Sequence, residues 1–192
     1  MTKITLGILA SGSGTNFAAI AQNLAPHLQI GVMIYNNPDA QVAQRAVDLD
    51  IPAILLDHRK FDTRVALDQA IANTLNKHKV DLVIMAGWMR IVTQTLIDAY
   101  PNRILNIHPS LLPSFPGAHA VAQALNYGVK ITGCTIHIVS LEVDSGPILA
   151  QAAVAISPSD TITSLQTKIQ AAEHQLYPTT IATYAKTLLG NH

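Results

Sequence analysis

The feature that most constrains this chain is the rhythm of its first hundred residues, where short runs rich in Ile, Val and Leu alternate with longer segments of helical spacing. The runs fall at 4–9, 30–35, 53–56, 82–86 and 103–107, and the helical segments at 16–24, 40–49, 63–77 and 93–99. Continuous apolar runs suit strands covered on both faces, so the pattern predicts an α/β fold with a mainly parallel twisted sheet and right-handed crossovers. Asp39 and Asp62 stand where side chains are expected to cap the second and third helices. After residue 108 the rhythm changes to a Pro-rich loop at 108–117, a helix at 119–127 and two extended stretches at 130–139 and 147–156. Those two stretches are placed to pair antiparallel, making the sheet mixed. A last helical segment, 161–189, ends at Gly190, and Pro178 inside it predicts a kink or break.

No repeat or composition shift marks a linker, so residues 1–192 read as one Rossmann-like domain in two halves, 1–100 and 101–192. Charge narrows its partners. The 12 Lys+Arg balance 12 Asp+Glu and no basic run occurs, so neither nucleic acid nor an anionic membrane surface is an expected partner. An anionic ligand must then be held by local groups. Cys134 is the one cysteine, which excludes an internal disulfide and a Cys-based zinc site and suits a reducing compartment. The apolar start is short and runs at once into Ser11-Gly-Ser-Gly14, unlike a secretory signal, and no stretch approaches the ~20 apolar residues of a membrane span. A cytoplasmic protein is expected.

In an open α/β sheet, ligands gather beyond the carboxyl ends of the strands. Four such places carry unusual residues. Ala10-Ser-Gly-Ser-Gly-Thr-Asn16 follows the first strand and opens a helix, where a tight glycine turn and free N–H groups favour a phosphate. Phe17 replaces the third small residue of a dinucleotide fingerprint, no acidic ribose hook ends the second strand, and the Walker lysine is missing. A single phosphate is thus favoured over NAD or ATP, with a plain Gly-rich turn as the bland alternative. Asn106 and His108 share one face of a strand that Pro109 must finish, so an amide donor and an imidazole can converge on one reacting atom. A strand-end His bonded to a carbonyl is the ordinary reading of such a pair. Asp144 sits in Glu142-Val-Asp-Ser-Gly-Pro147, which is common turn chemistry; beside an imidazole it would favour the protonated ring. Ala86-Gly-Trp-Met-Arg-Ile-Val92 offers an apolar wall with one Arg, suited to a flat ring system with an anionic end, or simply to packing. His108, His119 and His137 with Asp144 raise a zinc site in principle, but their spacing lacks the close helical pairing of metal ligands and no metal is expected.

Taken together, these stretches resemble the folate-dependent phosphoribosylglycinamide formyltransferases across nearly the whole chain. The resemblance rests on Leu105-Asn-Ile-His-Pro-Ser-Leu-Leu-Pro-Ser-Phe-Pro-Gly117, Gly133-Cys-Thr-Ile-His137, Glu142-Val-Asp-Ser-Gly-Pro147, Ser11–Asn16, Met89-Arg90 and Glu173–Pro178. It implies transfer of a formyl group from 10-formyltetrahydrofolate to the amine of glycinamide ribonucleotide, in purine synthesis, by a monomer or homodimer. Asn106, His108 and Asp144 match the catalytic trio. Gly14, Thr15, Asn16, Gln170 and Glu173 would hold the ribonucleotide, and Arg64, Met89, Arg90, Ile91, Val92 and Asn106 the folate, with Arg64 facing its glutamate tail. On this reading 1–100 is the phosphate-binding half and 101–192 the catalytic and folate-binding half. Ser114 stands where many relatives carry a basic residue and Ala18 where a longer polar side chain is frequent. Formylfolate deformylases and methionyl-tRNA formyltransferases share an Asn-x-His and a distant Asp, but the extra domain usual in each is not expected to fit within 192 residues. A binding module without turnover is the remaining alternative.

Overall fold

A computed structural model describes residues 3–189. Seven strands form one sheet: β1 (Ile4–Ala10), β2 (Leu28–Tyr35), β3 (Ala53–Leu55), β4 (Leu82–Met85), β5 (Ile104–His108), β6 (Ile131–Ile138) and β7 (Ile148–Ala155). Their order is β3-β2-β1-β4-β5-β6-β7. The first five are parallel neighbours, and β6 and β7 continue the sheet antiparallel, as the change of rhythm after residue 108 predicts. Six α-helices accompany them: α1 (Thr15–Gln22), α2 (Val42–Asp48), α3 (Arg64–Lys77), α4 (Gln94–Ala99), α5 (Ala120–Tyr127) and α6 (Ile162–Leu189). Gly190, where the sequence pattern ends the last helix, lies outside the described residues.

The sheet has two cores because it has two covered faces. Ile4, Leu6, Ile8 and Ala10 pack with α1, α2, α5 and α6, whereas Leu9, Val32 and Ile34 pack with α3 and α4. Every residue of β1 is buried, which is why the run lacks polar alternation. Long α6 buries Leu165, Ile169, Tyr177, Ile181 and Ala185, a stripe at multiples of four that lies along β6 and β7.

Three local expectations need correction. Helix α2 starts later than expected, after Gln41 rather than after Asp39, and Asp39 instead donates its N–H to Asn37 Oδ1 in a turn. Helix α3 is capped by Thr63, whose Oγ1 accepts from the Ala66 N–H at 3.1 Å, so Asp62 is not the cap. Pro178 does not break α6. Thr179 and Thr180 hydroxyls both donate to the Leu176 carbonyl, and the buried Tyr177 hydroxyl ties the helix to the Met85 and Leu105 carbonyls at 3.1 and 3.0 Å. Tertiary packing on this stripe outweighs one missing backbone donor. Among the described residues no helix is long and apolar enough to cross a membrane.

Candidate active site

Strand β1 lies between β2 and β4, so chain direction across the sheet reverses there and the loops after β1 and β4 splay apart into a crevice. The crevice is a cavity of about 610 Å³. It is lined by Gly14, Thr15, Asn16, Met89, Arg90, Ile91, Val92, Asn106, His108, Asp144, Gln170 and Glu173, so all but one of the sequence-derived site residues meet around it. Arg64 is the exception. It borders a smaller concavity of about 150 Å³ with His58 and Phe61, and Arg90 bounds both spaces. Thus Arg64 faces a side recess rather than the main cleft.

The loop after β1 is built to leave donors free. Gly14 adopts φ +74°, and a Cβ there would lie 2.5 Å from Val42 Cγ2, so glycine is required for both conformation and space. The carbonyls of Gly12 and Ser13 are tied off by Val42 N–H at 3.1 Å and Arg45 Nε at 2.7 Å. What remains pointing outward is the N-terminal turn of α1, whose first N–H groups have no helical partner. Beside it Asn16 Nδ2 donates to Glu173 Oε2 at 2.9 Å, while Asn16 Oδ1 is buried without a hydrogen-bond partner among the described residues. Burial pushes the Glu173 carboxyl above its ordinary range, and the Asn16 bond only partly offsets this.

At the floor, β5 supplies Asn106 and His108 from one face, and the antiparallel β6 sets His137 opposite Asn106. Asn106 Nδ2 donates to His137 Nε2 at 3.2 Å, using one of two amide hydrogens. The 139–147 loop returns Asp144 over them: Oδ2 stands 3.3 Å from His108 Nδ1, and Oδ1 stands 3.6 Å from His137 Nε2. Gly146 permits that return, since a Cβ there would meet the Ile138 carbonyl oxygen at 1.8 Å. Asp144 itself has φ +53° and accepts from Gly117 N–H at 2.8 Å. Burial alone would raise its pKa, but the Gly117 N–H and the charge of His108 hold it below the ordinary carboxylate range. Asp144 is therefore an anion at neutral pH.

Both nitrogens of His108 face oxygens. Nε2 donates to the Phe115 carbonyl at 2.8 Å, and Nδ1 approaches Asp144. A neutral ring carries one N–H and serves one of these, whereas the doubly protonated ring serves both. Phe115 does not line the cavity and Asp144 does, so the Nδ1 edge is the one available to a ligand. The 110–117 loop that supplies this carbonyl is held by Ser110, whose Oγ donates to the Ser114 carbonyl, and by Thr135, whose Oγ1 accepts from Leu112 N–H at 3.0 Å.

Sequence reasoning weighed His137 only as a metal ligand. Its position opposite Asn106 follows from β5–β6 register, which a spacing pattern does not carry. His119 also lines the cavity. Among the described residues no group of His, Cys, Asp or Glu side chains is arranged to hold an ion.

The formyl transferase family matches residues 4–181. This chain belongs to that family. It is 40% identical over 186 residues to a phosphoribosylglycinamide formyltransferase of Bacillus subtilis, with 95% of this chain and 93% of that protein covered. It is 37% identical to a stretch of the human trifunctional purine biosynthetic protein adenosine-3, covering 92% of this chain but only 18% of that longer protein. A solved glycinamide ribonucleotide transformylase 1 from Symbiobacterium toebii superposes with a TM-score of 0.94 at 44% identity, over 96% of this chain and 89% of that one. The phosphoribosylglycinamide formyltransferase of Bacillus halodurans does so with 0.90 at 44% identity, over 94% of each chain. The mixed sheet read from the sequence is the fold of these transferases.

Proposed function

We propose that this formyl transferase moves the formyl group of 10-formyltetrahydrofolate onto the amine of glycinamide ribonucleotide. The observation that carries the reading is the meeting of Asn106, His108 and Asp144 on the floor of one cavity, with an anion-ready helix start at one side and an apolar lip at the other. The free N–H groups at Gly14, Thr15 and Asn16 suit the ribonucleotide phosphate. Glu173, Gln170 and the unpartnered Asn16 Oδ1 suit the ribose hydroxyls and glycinamide beyond it. Met89 and Ile91 are large apolar side chains left 77% and 52% exposed, and with Val92 they form a wall for the pterin ring. Arg90, and Arg64 in the neighbouring recess, suit the glutamate carboxylates.

The amine attacks the formyl carbon, the new C–N bond forms, and negative charge grows on the formyl oxygen. The second Asn106 amide hydrogen is a donor suited to that oxygen, and the His108 ring, whose Nδ1 edge faces the cavity beside Asp144, can stabilise the growing charge. Asp144, ionised beside His108, accepts the proton shed by the attacking amine and returns it to the folate nitrogen as its bond to carbon breaks. Atoms and charge balance without a covalent intermediate on the protein.

The test is incubation with both substrates, following release of tetrahydrofolate and appearance of the formylated ribonucleotide. Turnover that requires the ribonucleotide supports the reading. Hydrolysis of the formylfolate with no acceptor present would instead make the protein a deformylase, and ligand binding without turnover would make it a binding module.

A further inference from the structure

The loops after β1 and β4, on which the proposed acceptor and donor sites are built, leave the sheet tied to each other. The β1–β4 ladder pairs Leu6–Leu9 with Leu82–Met85 and continues past the strands: Ala86 N–H donates to the Leu9 carbonyl at 2.8 Å and Ser11 N–H to the Gly87 carbonyl at 3.0 Å. The last stitch is a side chain. Ser11 Oγ accepts from the Met89 N–H at 2.9 Å, and beyond it the loops part, one toward the Gly14 turn and the other toward the Met89–Val92 wall. Each loop is anchored again on its own side, Gly12 and Ser13 to α2 directly after Ser11, and Thr93, through its N–H at 2.5 Å, to the buried Asp68 of α3. Ser11 thus holds the start of the Met89–Val92 wall against the start of the turn that leads to Gly14.

We infer that Ser11 is a positioning residue that couples the two substrate sites, so that seating the phosphate-bearing acceptor tightens the donor. This rests on the assignment of the two loops made above. Ser11 contributes through Met89 rather than by chemistry on the reacting atoms. One hydrogen bond of ordinary strength limits the coupling to about two- to tenfold in affinity, and by linkage each ligand tightens the other by the same factor.

The experiment is calorimetry with a stable folate analogue that lacks a transferable formyl group, titrated with and without saturating glycinamide ribonucleotide. In the unaltered protein the analogue's Kd is expected to fall by that factor when the ribonucleotide is present. Ser11→Ala should bring the ratio close to one while each ligand alone still binds, and Ser11→Thr, which keeps Oγ, should restore it. A merely structural role would lower thermal stability and leave the ratio unchanged. Independent binding in the unaltered protein, or an unchanged ratio in Ser11→Ala, overturns the coupling and leaves the proposed reaction standing. Failure of either ligand to bind the unaltered protein overturns the site assignments and the coupling with them.

Discussion

The Asp144 carboxylate lies 3.3 Å from His108 Nδ1, although the two residues are separated along the chain by a Pro-rich loop, a helix and a strand. This contact and the Gly117 N–H hold the Asp144 pKa down despite burial. A depressed carboxylate contributes stability that is present above its unfolded pKa and lost as pH falls through its folded one. Asp144→Asn is therefore expected to destabilise the protein at neutral pH and to match the unaltered protein more closely below the ordinary aspartate range. Thermal melts from neutral to acidic pH check this; a difference that stays constant with pH contradicts it.

Glu173 predicts the opposite sign. Its pKa is raised by burial, so the ionised form is penalised in the folded state at neutral pH, and the penalty vanishes as pH falls through the raised value and below the unfolded one. Glu173→Gln keeps an acceptor for Asn16 and should raise the Tm at neutral pH but not in acid. The same substitution should weaken ribonucleotide binding more than folate binding. A lower Tm at neutral pH would mean that Glu173 is stabilised as an anion.

Gly14 is constrained twice, by φ +74° and by Val42 at 2.5 Å. Gly14→Ala is expected to raise the Kd of the ribonucleotide far more than that of the folate, because the turn that presents the N–H groups must shift. Adding Val42→Ala should recover neither stability nor affinity, since Val42 Cβ, which alanine keeps, would still lie 2.8 Å from the new Cβ and the left-handed conformation still disfavours a side chain. Equal losses for both ligands in calorimetry would remove this loop from phosphate binding.

Tyr177 joins α6 to β4 and β5 with one hydroxyl shared between two carbonyls. Tyr177→Phe leaves the ring in place and should cost about 1–3 kcal/mol, in the range for a buried hydrogen bond whose partners lose their donor. Denaturant unfolding measures it. Stability within error of the unaltered protein would show that the hydroxyl does not hold the helix.

Much of this architecture was legible in the residues. Apolar runs without alternation marked the doubly covered strands, and the shift to a Pro-rich loop marked the change from parallel to antiparallel pairing. Gly14 was legible as a tight turn opening a helix, whereas Asn106, His108 and Asp144 read alone as a strand-end pair and a turn residue, and only the family resemblance singled them out as a trio. The role of His137 was not, because it depends on the register that sets it opposite Asn106. Nor was the engagement of His108 Nε2 by the Phe115 carbonyl, a matter of loop geometry. Pro178 misled for a related reason: local propensity argues for a break, and the buried stripe of α6 overrides it. Arg64 was placed with the folate residues by resemblance, whereas it borders a side recess that shares only Arg90 with the lining of the cleft.

In the proposed reaction Asn106, His108 and Asp144 act together on one formyl group. The most direct measurement is single-turnover formyl transfer by His108→Ala and Asp144→Asn, with both substrates saturating and folding checked by circular dichroism. Each variant is expected to stay folded, to bind both substrates, and to transfer formyl about a hundred- to a thousandfold more slowly. Transfer near the unaltered rate in either folded variant would contradict that joint action.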